Sequence, residues 1–382
     1  MAKKLRVGVI FGGRSGEHEV SVRSAVSVIE SIDRKKYDVL PIAISREGKW
    51  LSPPAAYNLL PPVTQSLLPS LPSRLADQVA GAVAILGDPS HAGLLSFDRN
   101  GGALTSERLD VVFPVLHGPF GEDGTLQGLL EMANIPYVGC GVLASACGMD
   151  KVTMKLLFLQ AGLPLCRYVW FLRSHWQNER ARITRTIMRE IGLPCFVKPA
   201  NLGSSVGVSR AADKPELERA VELAAQYDRK IVVEEAVDAR EIECAVIGNN
   251  EPKASLPGEY VVYDNSARFL DYEEKYTKTG HVDFVVPAPV SKALATKIQR
   301  LAIRAFQSID GAGLARVDFF FKRDTKELLV NELNTMPGLT EVSGYPKMWA
   351  ASGLSYTRML DVLIELALER QREKSLNKTS RD

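Results

Sequence analysis

The sequence predicts an α/β and α+β multidomain protein, in which an N-terminal parallel-sheet domain precedes a larger unit of mixed topology. Near the start, an apolar run at 7–11 ends at a glycine pair, a helical pattern spans 19–32, and a second apolar run spans 37–44. This order is typical of a βαβ unit, whose strands pair in parallel. After residue 149, several strand patterns follow one another between helices, which indicates an α+β arrangement.

Composition places the chain among globular enzymes of two or three domains. It has 382 residues, of which 46% are hydrophobic and 24% are charged, and these are ordinary values. A net charge of +2 is too balanced to indicate nucleic acid or an anionic membrane as a partner. The five cysteines form no Cys-x-x-Cys pair, and no signal peptide or run of about 18 apolar residues is found. We therefore expect a cytoplasmic protein without structural zinc, disulfides or a membrane span.

The remaining elements follow from apolar patterning and from prolines. Proline pairs at 53–54 and 61–62 interrupt the segment 53–108, which we expect to be an insertion with a few short strands in a first domain that ends near residue 147. Strands are predicted at 110–116 and 135–138, and helices at 125–132, 150–160, 291–309 and 355–370. The polar tail, 371–382, is predicted to be disordered.

Two neighbouring strands near the C-terminus carry three oxygen ligands. In the strand 315–321, side-chain alternation puts Arg316 and Asp318 on one face. In the next strand, 328–334, Glu332 and Asn334 share a face, and a short turn can bring Asp318 beside Glu332. Magnesium prefers such oxygen ligands together with substrate phosphates. The pattern predicts a metal–phosphate site, although two solvent-facing acids on an edge strand would give the same spacing.

A glycine- and serine-rich loop follows another predicted strand. Residues 198–208 read Lys-Pro-Ala-Asn-Leu-Gly-Ser-Ser-Val-Gly-Val, and glycines allow a backbone to approach phosphate closely. No Gly-Lys-Ser/Thr closes the loop, so it is not a Walker A motif. Lys198 at the base of the strand and Lys151 on a preceding helix are candidate phosphate ligands. A plain turn and a solvated helix lysine are the alternatives.

A strand end and its connector are candidates for adenosine binding. The segment 232–237 could offer backbone donors and acceptors to adenine, and Glu241 could accept ribose hydroxyls. An ordinary charged strand end explains these residues equally well. The glycine loop at 12–21 lacks the full Gly-x-Gly-x-x-Gly fingerprint, so a dinucleotide site is not indicated.

Four sequence blocks occur in one order along the chain. They are Gly-Gly at 12–13 with Glu-Val-Ser at 19–21, His-Gly at 117–118 with Gly-Glu-Asp-Gly at 121–124, the loop at 198–207, and Asn-Glu-Leu-Asn-Thr-Met-Pro-Gly at 331–338. Together they resemble the D-alanine–D-alanine ligases, a family of ATP-grasp enzymes, from residue 7 to about residue 369. The resemblance implies an N-terminal (pre-ATP-grasp) domain, 1–147, and a two-lobed ATP-grasp fold, 148–228 and 229–370, with ATP between the lobes. It also implies a homodimer.

The resemblance implies a role for each matching position. The nucleotide set comprises Lys151 and Lys198 for the phosphates, and Glu234, Ala236, Val237 and Glu241 for adenosine. The metal set, for two magnesium ions with manganese as a possible substitute, comprises Asp318, Glu332 and Asn334. The amino-acid set comprises Glu19 for the ammonium of the first D-alanine, His117 near that substrate, and Ser343 for the carboxylate of the second D-alanine. The loop-closing set comprises Ser204 and Tyr276, which would link to Glu19, and Lys275, which would reach phosphate or carboxylate.

The implied reaction activates one D-alanine with ATP as an acyl phosphate, which the amine of a second D-alanine attacks. The dipeptide would serve peptidoglycan synthesis, and ADP and phosphate would leave. The tetrahedral intermediate needs oxyanion donors, for which we predict Arg316 and the Gly338 N–H. The acyl phosphate must be shielded from water, so the polar segment 263–281 is predicted to be a closing loop. A simple surface loop is the alternative.

Other functions stay open from the sequence. A D-alanine–D-serine or D-alanine–D-lactate ligase would use the same site, although Tyr276 favours an amine acceptor. Another ATP-grasp ligase, such as a carboxylase subunit, is disfavoured by the blocks around Gly12 and Ser343. A non-catalytic ATP-binding protein is disfavoured by the intact metal set and Arg316, and a nicotinamide oxidoreductase by the missing glycine fingerprint. Glu341 departs from the family, in which a small residue is common at that position.

Overall fold

The computed structural model describes residues 3–68, 83–97, 103–203, 205–262, 282–378 and 381. The chain begins with β1 (Leu5–Gly12), α1 (His18–Ser31) and β2 (Tyr37–Ile44). The two strands pair in parallel along their whole length, and α1 buries Val28 and Ile29 in the core beneath them. The predicted βαβ unit is confirmed.

The proline-rich insertion forms small elements of its own. It contains two short helices, α2 (Pro53–Asn58) and α3 (Pro62–Ser66), and three strands, β3 (Val83–Ile85), β4 (Gly93–Phe97) and β5 (Ala103–Arg108). These strands form a separate antiparallel sheet in the order β3–β4–β5. Both helices have proline in the first turn, where a missing N–H breaks no helical hydrogen bond.

After the insertion, the chain returns to the first sheet. Strand β6 (Val111–Pro114) pairs in parallel with β1 and completes the order β2–β1–β6, and α4 (Thr125–Met132) matches the prediction. The predicted strand at 135–138 is wrong, because only Tyr137 forms an isolated bridge, to Val112. Helix α5 (Val142–Met149) escaped prediction because its alanine, serine and glycine residues carry little apolar periodicity.

Asp150 separates α5 from helix α6 (Lys151–Gln160). Its Oδ1 accepts hydrogen bonds from the N–H groups of Val152 and Thr153 at 3.0 and 2.9 Å. This side-chain cap satisfies N–H groups that have no partner within the helix. The cap therefore fixes Lys151 as the first residue of α6.

A four-stranded antiparallel sheet forms the central part of the molecule. It is built from β7 (Tyr168–Leu172), β8 (Cys195–Pro199), β9 (Ser209–Ala211) and β10 (Lys230–Glu235), in the order β7–β10–β8–β9. Helices α7 (Arg173–Glu190) and α8 (Lys214–Tyr227) pack against it. Their Ile187 and Val221 share a core with Val197 and Val233 of the sheet.

The C-terminal sheet carries the predicted metal strands. Its members are β11 (Ala239–Gly248), β12 (Lys253–Ala254), β13 (Gly258–Val262), β14 (Val282–Val285), β15 (Gly313–Lys322) and β16 (Leu328–Asn334). The order is β14–β13–β11–β15–β16, and β12 pairs with β11. Helix α9 (Lys292–Ser308) buries Phe306 together with Val317 and Phe319 of β15.

Two last helices join the C-terminal sheet to the first sheet. Helices α10 (Gly344–Ala351) and α11 (Tyr356–Lys374) contribute Trp349 and Leu363 to a core that also contains Val9 of β1 and Ala245 of β11. The parallel sheet and the C-terminal sheet therefore share one core, whereas the central sheet has a core of its own.

The last helix continues beyond its predicted end at residue 370. Residues 371–374 are helical rather than part of a disordered tail. Gln371 donates to Asn134 Oδ1 at 2.6 Å, and the Arg370 guanidinium lies 4.3 Å from the centre of the Tyr137 ring. These contacts with the N-terminal part explain the longer helix. Over the described ranges, no helix is long and apolar enough to span a bilayer.

Candidate active site

The acids of the predicted metal set face each other across two strands. β15 and β16 pair antiparallel, with Asp318 opposite Glu332 and Arg316 opposite Asn334. The Asn334 amide nitrogen donates to Asp318 Oδ2 at 3.1 Å. The predicted alternation, which places these side chains on one face, is confirmed by this register and this contact.

A β-bulge lies beside the metal set. Phe319 pairs with Val330, so Asn331 is the extra residue between two registers. A bulge bends its strand and redirects the neighbouring side chain. Here the neighbouring side chain is that of Glu332, so the bulge helps to set its direction.

Arg316 joins two acids on adjacent strands. Its Nε and one terminal nitrogen donate to the two oxygens of Asp318, both at 2.7 Å, and Nε lies 3.2 Å from Glu243 Oε1. Glu243 stands opposite Asp318 on β11 and is buried. Its other oxygen lies against Gly344, where an added Cβ would be 2.7 Å away. The guanidinium is therefore held by carboxylates from two strands.

Lys151 links the glycine-rich loop to the metal strands. Its ammonium donates to the Leu202 carbonyl at 2.6 Å and lies 3.9 Å from Glu332 Oε2. The backbone N–H of Lys151 donates to the carbonyl of Ala200 at 3.0 Å. The fold thus brings this lysine between the two segments to which the sequence assigns phosphate and metal binding.

Glu234 is held by two lysines, one on each carboxylate oxygen. Lys198 donates to Oε2 at 2.7 Å, and Lys155 donates to Oε1 at 2.8 Å. Burial alone would raise the pKa of Glu234, but the two ammonium groups outweigh it and hold that pKa well below its usual range. Glu234 is therefore a carboxylate, and Lys198 reaches it from the adjacent strand.

The connector between β10 and β11 carries the other adenosine candidates. The Ala236 N–H donates to the Pro194 carbonyl at 3.2 Å, so this donor is already used within the protein. Val237 is partly exposed in the same connector. Glu241 lies on β11 opposite Phe320 and on the same face as Glu243.

The two acids of the first block, Glu17 and Glu19, have different surroundings. Glu19 lies in the first turn of α1, where its exposed carboxylate contacts Arg46 at 2.5 Å. Glu17 precedes the helix, and its Oε2 lies 3.1 Å from where a Cβ on Gly118 would stand and 3.4 Å from the same point at Gly203. The structure therefore corrects the prediction for Glu19, because Glu17 is the acid placed between the histidine block and the glycine-rich loop.

His117 is buried, and one of its two ring nitrogens has a hydrogen-bond partner. Its Nδ1 lies 3.1 Å from the Met336 carbonyl, which requires a proton on Nδ1. Burial lowers the pKa of His117, although the nearby charge of Glu17 opposes this, so the ring is neutral and Nε2 is an acceptor. Among the described residues, Nε2 has no hydrogen-bond partner.

Glu122 is a second acid near His117 and Glu17. Its carboxyl accepts the Gly118 N–H at 2.7 Å. Burial and the charge of Glu17 raise the pKa of Glu122 to about 8, against weaker opposing effects of that hydrogen bond, Lys151 and Arg316. Glu122 is therefore mainly protonated at neutral pH, next to an acid at position 17.

The segment after β16 places the remaining predicted residues. The Ser343 hydroxyl lies 2.6 Å from that of Thr340, and Ser343 immediately precedes α10. Gly338 is buried in the same segment, two residues after the Met336 carbonyl that contacts His117. The fold therefore brings this segment to the histidine.

Several predictions fall outside the described residues. These are Ser204, Lys275 and Tyr276, together with the whole closing-loop segment 263–281. Their roles stay predictions. Within the described part of the chain, no three His, Cys, Asp or Glu side chains cluster as metal ligands. The candidate metal set instead has two carboxylates and one amide.

Four residues near the site were missed by sequence reasoning, and three of them carry a usable signal. Glu122 lies inside a quoted block, Lys155 lies one helical turn after Lys151, and Glu243 lies two residues after Glu241 on the same strand face. Glu17 has no local signal that separates it from Glu19, because both acids flank the start of a helix.

A parallel N-terminal sheet, the central and C-terminal sheets, a glycine-rich loop and paired acidic strands are the features of an ATP-grasp ligase. Comparison with known families gives the particular family. The family described as D-ala D-ala ligase N-terminus matches residues 6–140, and that described as D-ala D-ala ligase C-terminus matches residues 157–365. The chain belongs to the D-alanine–D-alanine ligase family, which implies ATP and a divalent metal ion.

Individual relatives agree with this assignment over nearly the full length. A D-alanine–D-alanine ligase of Natranaerobius thermophilus is 46% identical over 99% of this chain and 98% of its own, and one of Heliobacterium modesticaldum has the same three values. The solved ligase of Coxiella burnetii has a TM-score of 0.80 and 35% identity, covering 98% of this chain and 97% of its own. The VanG D-Ala:D-Ser ligase of Enterococcus faecalis has a TM-score of 0.80 and 36% identity, covering 96% and 100%.

Proposed function

We propose that this protein joins two D-alanine molecules with ATP, to give the dipeptide used in peptidoglycan. One observation carries the proposal. The buried acceptor Nε2 of His117 lies near Glu17 and near Arg316, and the Arg316 guanidinium contacts Asp318 of the metal set. An ammonium-bearing substrate and a metal-bound phosphate can therefore meet there.

The nucleotide would lie between the two predicted lobes, 148–228 and 229–370, of which the first also includes β10 (Lys230–Glu235) because that strand belongs to the central sheet. Domain 1–147 would complete the amino-acid site. Lys151 and Lys198 would hold the phosphates, since Lys151 contacts the glycine-rich loop and lies near Glu332, and Lys198 lies at the start of that loop and contacts Glu234. The adenosine would contact the connector at 236–237, near Glu234 and Glu241. The Ala236 N–H is used by Pro194, so adenine would pair with other backbone groups of this connector.

The donor set fits a hard divalent cation. Two carboxylates and an amide lie on one face of two paired strands, and magnesium prefers such oxygen ligands. We infer that Asp318, Glu332 and Asn334 would hold two magnesium ions, or manganese in their place. When bound, the ions would neutralise the charge of the transferred phosphoryl group.

The charges of the side chains around His117 indicate how the amino acids would bind. Glu17 would bind the ammonium of the first D-alanine, which also offers a proton to His117 Nε2. Protonated Glu122 lowers the negative charge beside Glu17 without removing the hydrogen bond to Gly118. Ser343 would bind the carboxylate of the second D-alanine from the start of α10, where helical N–H groups favour an anion.

The chemistry has two steps. A carboxylate oxygen of the first D-alanine attacks the γ-phosphorus of ATP, and the bond to ADP breaks. The amine of the second D-alanine, after its ammonium has lost a proton, attacks the acyl carbon, and phosphate leaves with the C–O bond electrons. Arg316 and the Gly338 N–H would stabilise the oxyanion of the tetrahedral intermediate, which forms in the second step when the amine attacks and before phosphate leaves.

Closure and assembly complete the proposal. Lys275, Tyr276 and Ser204 would close the segment 263–281 over the acyl phosphate and exclude water. We also propose that the enzyme is a homodimer, acts in the cytoplasm, and binds neither nucleic acid nor membrane. The balanced charge of +2 supports the last point.

The decisive experiment measures phosphate release from ATP in the presence of D-alanine, D-serine or D-lactate and without any acceptor. The product of each reaction is identified by chromatography. We expect release only with D-alanine present, and D-alanyl-D-alanine as the main product. Preferred formation of a D-alanine–D-serine or D-alanine–D-lactate product would show a different acceptor. ATP binding without any D-alanine-dependent release would contradict a catalytic role.

A further inference from the structure

Lys155 is an unusual side chain for the position that it occupies. It lies on α6, one turn after Lys151, and its side chain is only 1% exposed. A buried ammonium is costly unless its donors are matched by acceptors. Its nitrogen donates to Glu234 Oε1 at 2.8 Å and to the Asn331 carbonyl at 3.3 Å, and lies 4.0 Å from Cys166 Sγ. All its acceptors are supplied by the protein, so Lys155 has no donor directed toward a substrate.

Lys155 changes the net charge of the cluster that it forms with Glu234 and Lys198. Glu234 has one negative charge and accepts from both Lys155 and Lys198, so the three side chains carry a net charge of about +1. Lys198 is the more accessible of the two lysines, at 14% exposure. Without Lys155, Glu234 and Lys198 would form a neutral pair, and the charge that Lys198 presents to a phosphate would be cancelled.

Lys155 also contacts the metal strand. Asn331, whose carbonyl accepts from Lys155, is the extra residue of the β-bulge next to Glu332. The same ammonium therefore connects β10 of the central sheet to β16 of the C-terminal sheet. Two elements that belong to different sheets are held at a fixed separation by one side chain.

We propose that Lys155 is a positioning residue, a buried counter-ion that holds Glu234 and thereby leaves Lys198 its positive charge for the nucleotide phosphates. This inference rests on the proposed nucleotide site. Loss of a merely structural lysine would weaken the affinity for the phosphates and for adenosine alike. Loss of the proposed counter-ion would weaken the affinity for the phosphates and leave the affinity for adenosine nearly unchanged.

The test compares ADP with adenosine as ligands of the full-length protein. Their affinities are measured by displacement of a fluorescent ATP analogue, in the presence of magnesium, for the wild type and Lys155→Met. Methionine keeps most of the side-chain volume and removes the charge. We expect the ratio of ADP affinity to adenosine affinity to fall at least about tenfold, since the cluster around Lys198 loses one unit of positive charge.

A second pair of variants gives a compensation test and does not depend on Lys155→Met being stable. In Lys155→Met/Glu234→Gln, the buried acid is neutral as well, so the cluster returns to about +1 and the ratio should return to that of the wild type. Glu234→Gln alone leaves the cluster with a net charge of about +2, so the ratio of ADP affinity to adenosine affinity should exceed that of the wild type. Removing both partners of a buried pair is also better tolerated than removing one.

Lys36→Met is the matched control. Lys36 contacts the buried acid Asp361 at 2.6 Å, outside the proposed site, so this variant should lose stability without changing the ratio. If the wild type binds neither ligand, the nucleotide site and the inference both fail. If the wild type binds ADP but Lys155→Met keeps its ratio, or the double variant fails to restore it, only the inference is overturned.

Discussion

Asp318 and Arg316 form a two-pronged ion pair on one face of β15, with both nitrogen–oxygen distances at 2.7 Å. The pair joins the metal set to the proposed oxyanion donor. Each group therefore limits where the other can lie.

Replacing Arg316 with alanine should lower turnover by roughly two to three orders of magnitude, because one oxyanion donor is typically worth about 3 kcal/mol. The KM for ATP should change much less. Steady-state dipeptide formation measures both values. Arg323→Ala, at an exposed arginine that pairs with Asp238, is the control and should behave like the wild type. Near-normal turnover of Arg316→Ala would remove Arg316 from the mechanism.

Replacing Glu332 with glutamine should raise the magnesium concentration for half-maximal activity by at least about tenfold, because a carboxylate ligand is lost. Chelation of the wild type should abolish phosphate release, and added magnesium or manganese should restore it. Glu327→Gln tests the specificity of the effect, since Glu327 pairs with Lys322 at the far end of the same hairpin. An unchanged magnesium requirement in Glu332→Gln would argue against this metal set.

The neighbouring acids Glu17 and Glu19 form a matched pair for testing the corrected assignment. Glu17→Gln should raise the KM for the first D-alanine by about 10- to 100-fold, the value expected when a charged hydrogen bond of about 1.5–3 kcal/mol is lost. Glu19→Gln should leave that KM close to the wild-type value, because Glu19 is exposed and, within the described part of the chain, pairs with exposed Arg46. The opposite result would restore Glu19 to the site.

Glu122 should make stability depend on pH. Its pKa is raised from 4.5 to about 8, so the folded state holds a proton that the unfolded chain has released. Stability must therefore fall as pH rises from about 5 to about 8, and this contribution becomes constant above that range. Denaturant unfolding at pH 5 to 9 should show a smaller fall for Glu122→Gln than for the wild type. Equal slopes in the two proteins would contradict the raised pKa.

Much of the site could be predicted because strands impose a local rule. Alternation alone places Arg316 with Asp318, and Glu332 with Asn334, and the structure pairs them as expected. The rule fails to predict the bulge at Asn331, because the extra residue depends on how β15 and β16 pair over their whole length. The missing strand at 135–138 has a similar cause, since only Tyr137 bridges to a neighbouring strand.

The sequence by itself determined the βαβ start, the order of the four blocks, the family that they resemble, and the faces of the two acidic strands. The tertiary structure decided which acid at the start of α1 faces the pocket, and that Lys155 is buried against Glu234 rather than exposed. Faces within one element follow from backbone periodicity, which adjacent residues set. The direction of Glu17 and the partners of Lys155 depend on segments up to 186 residues away along the chain, since Gly203 and Glu234 are brought to them only by packing of the sheets.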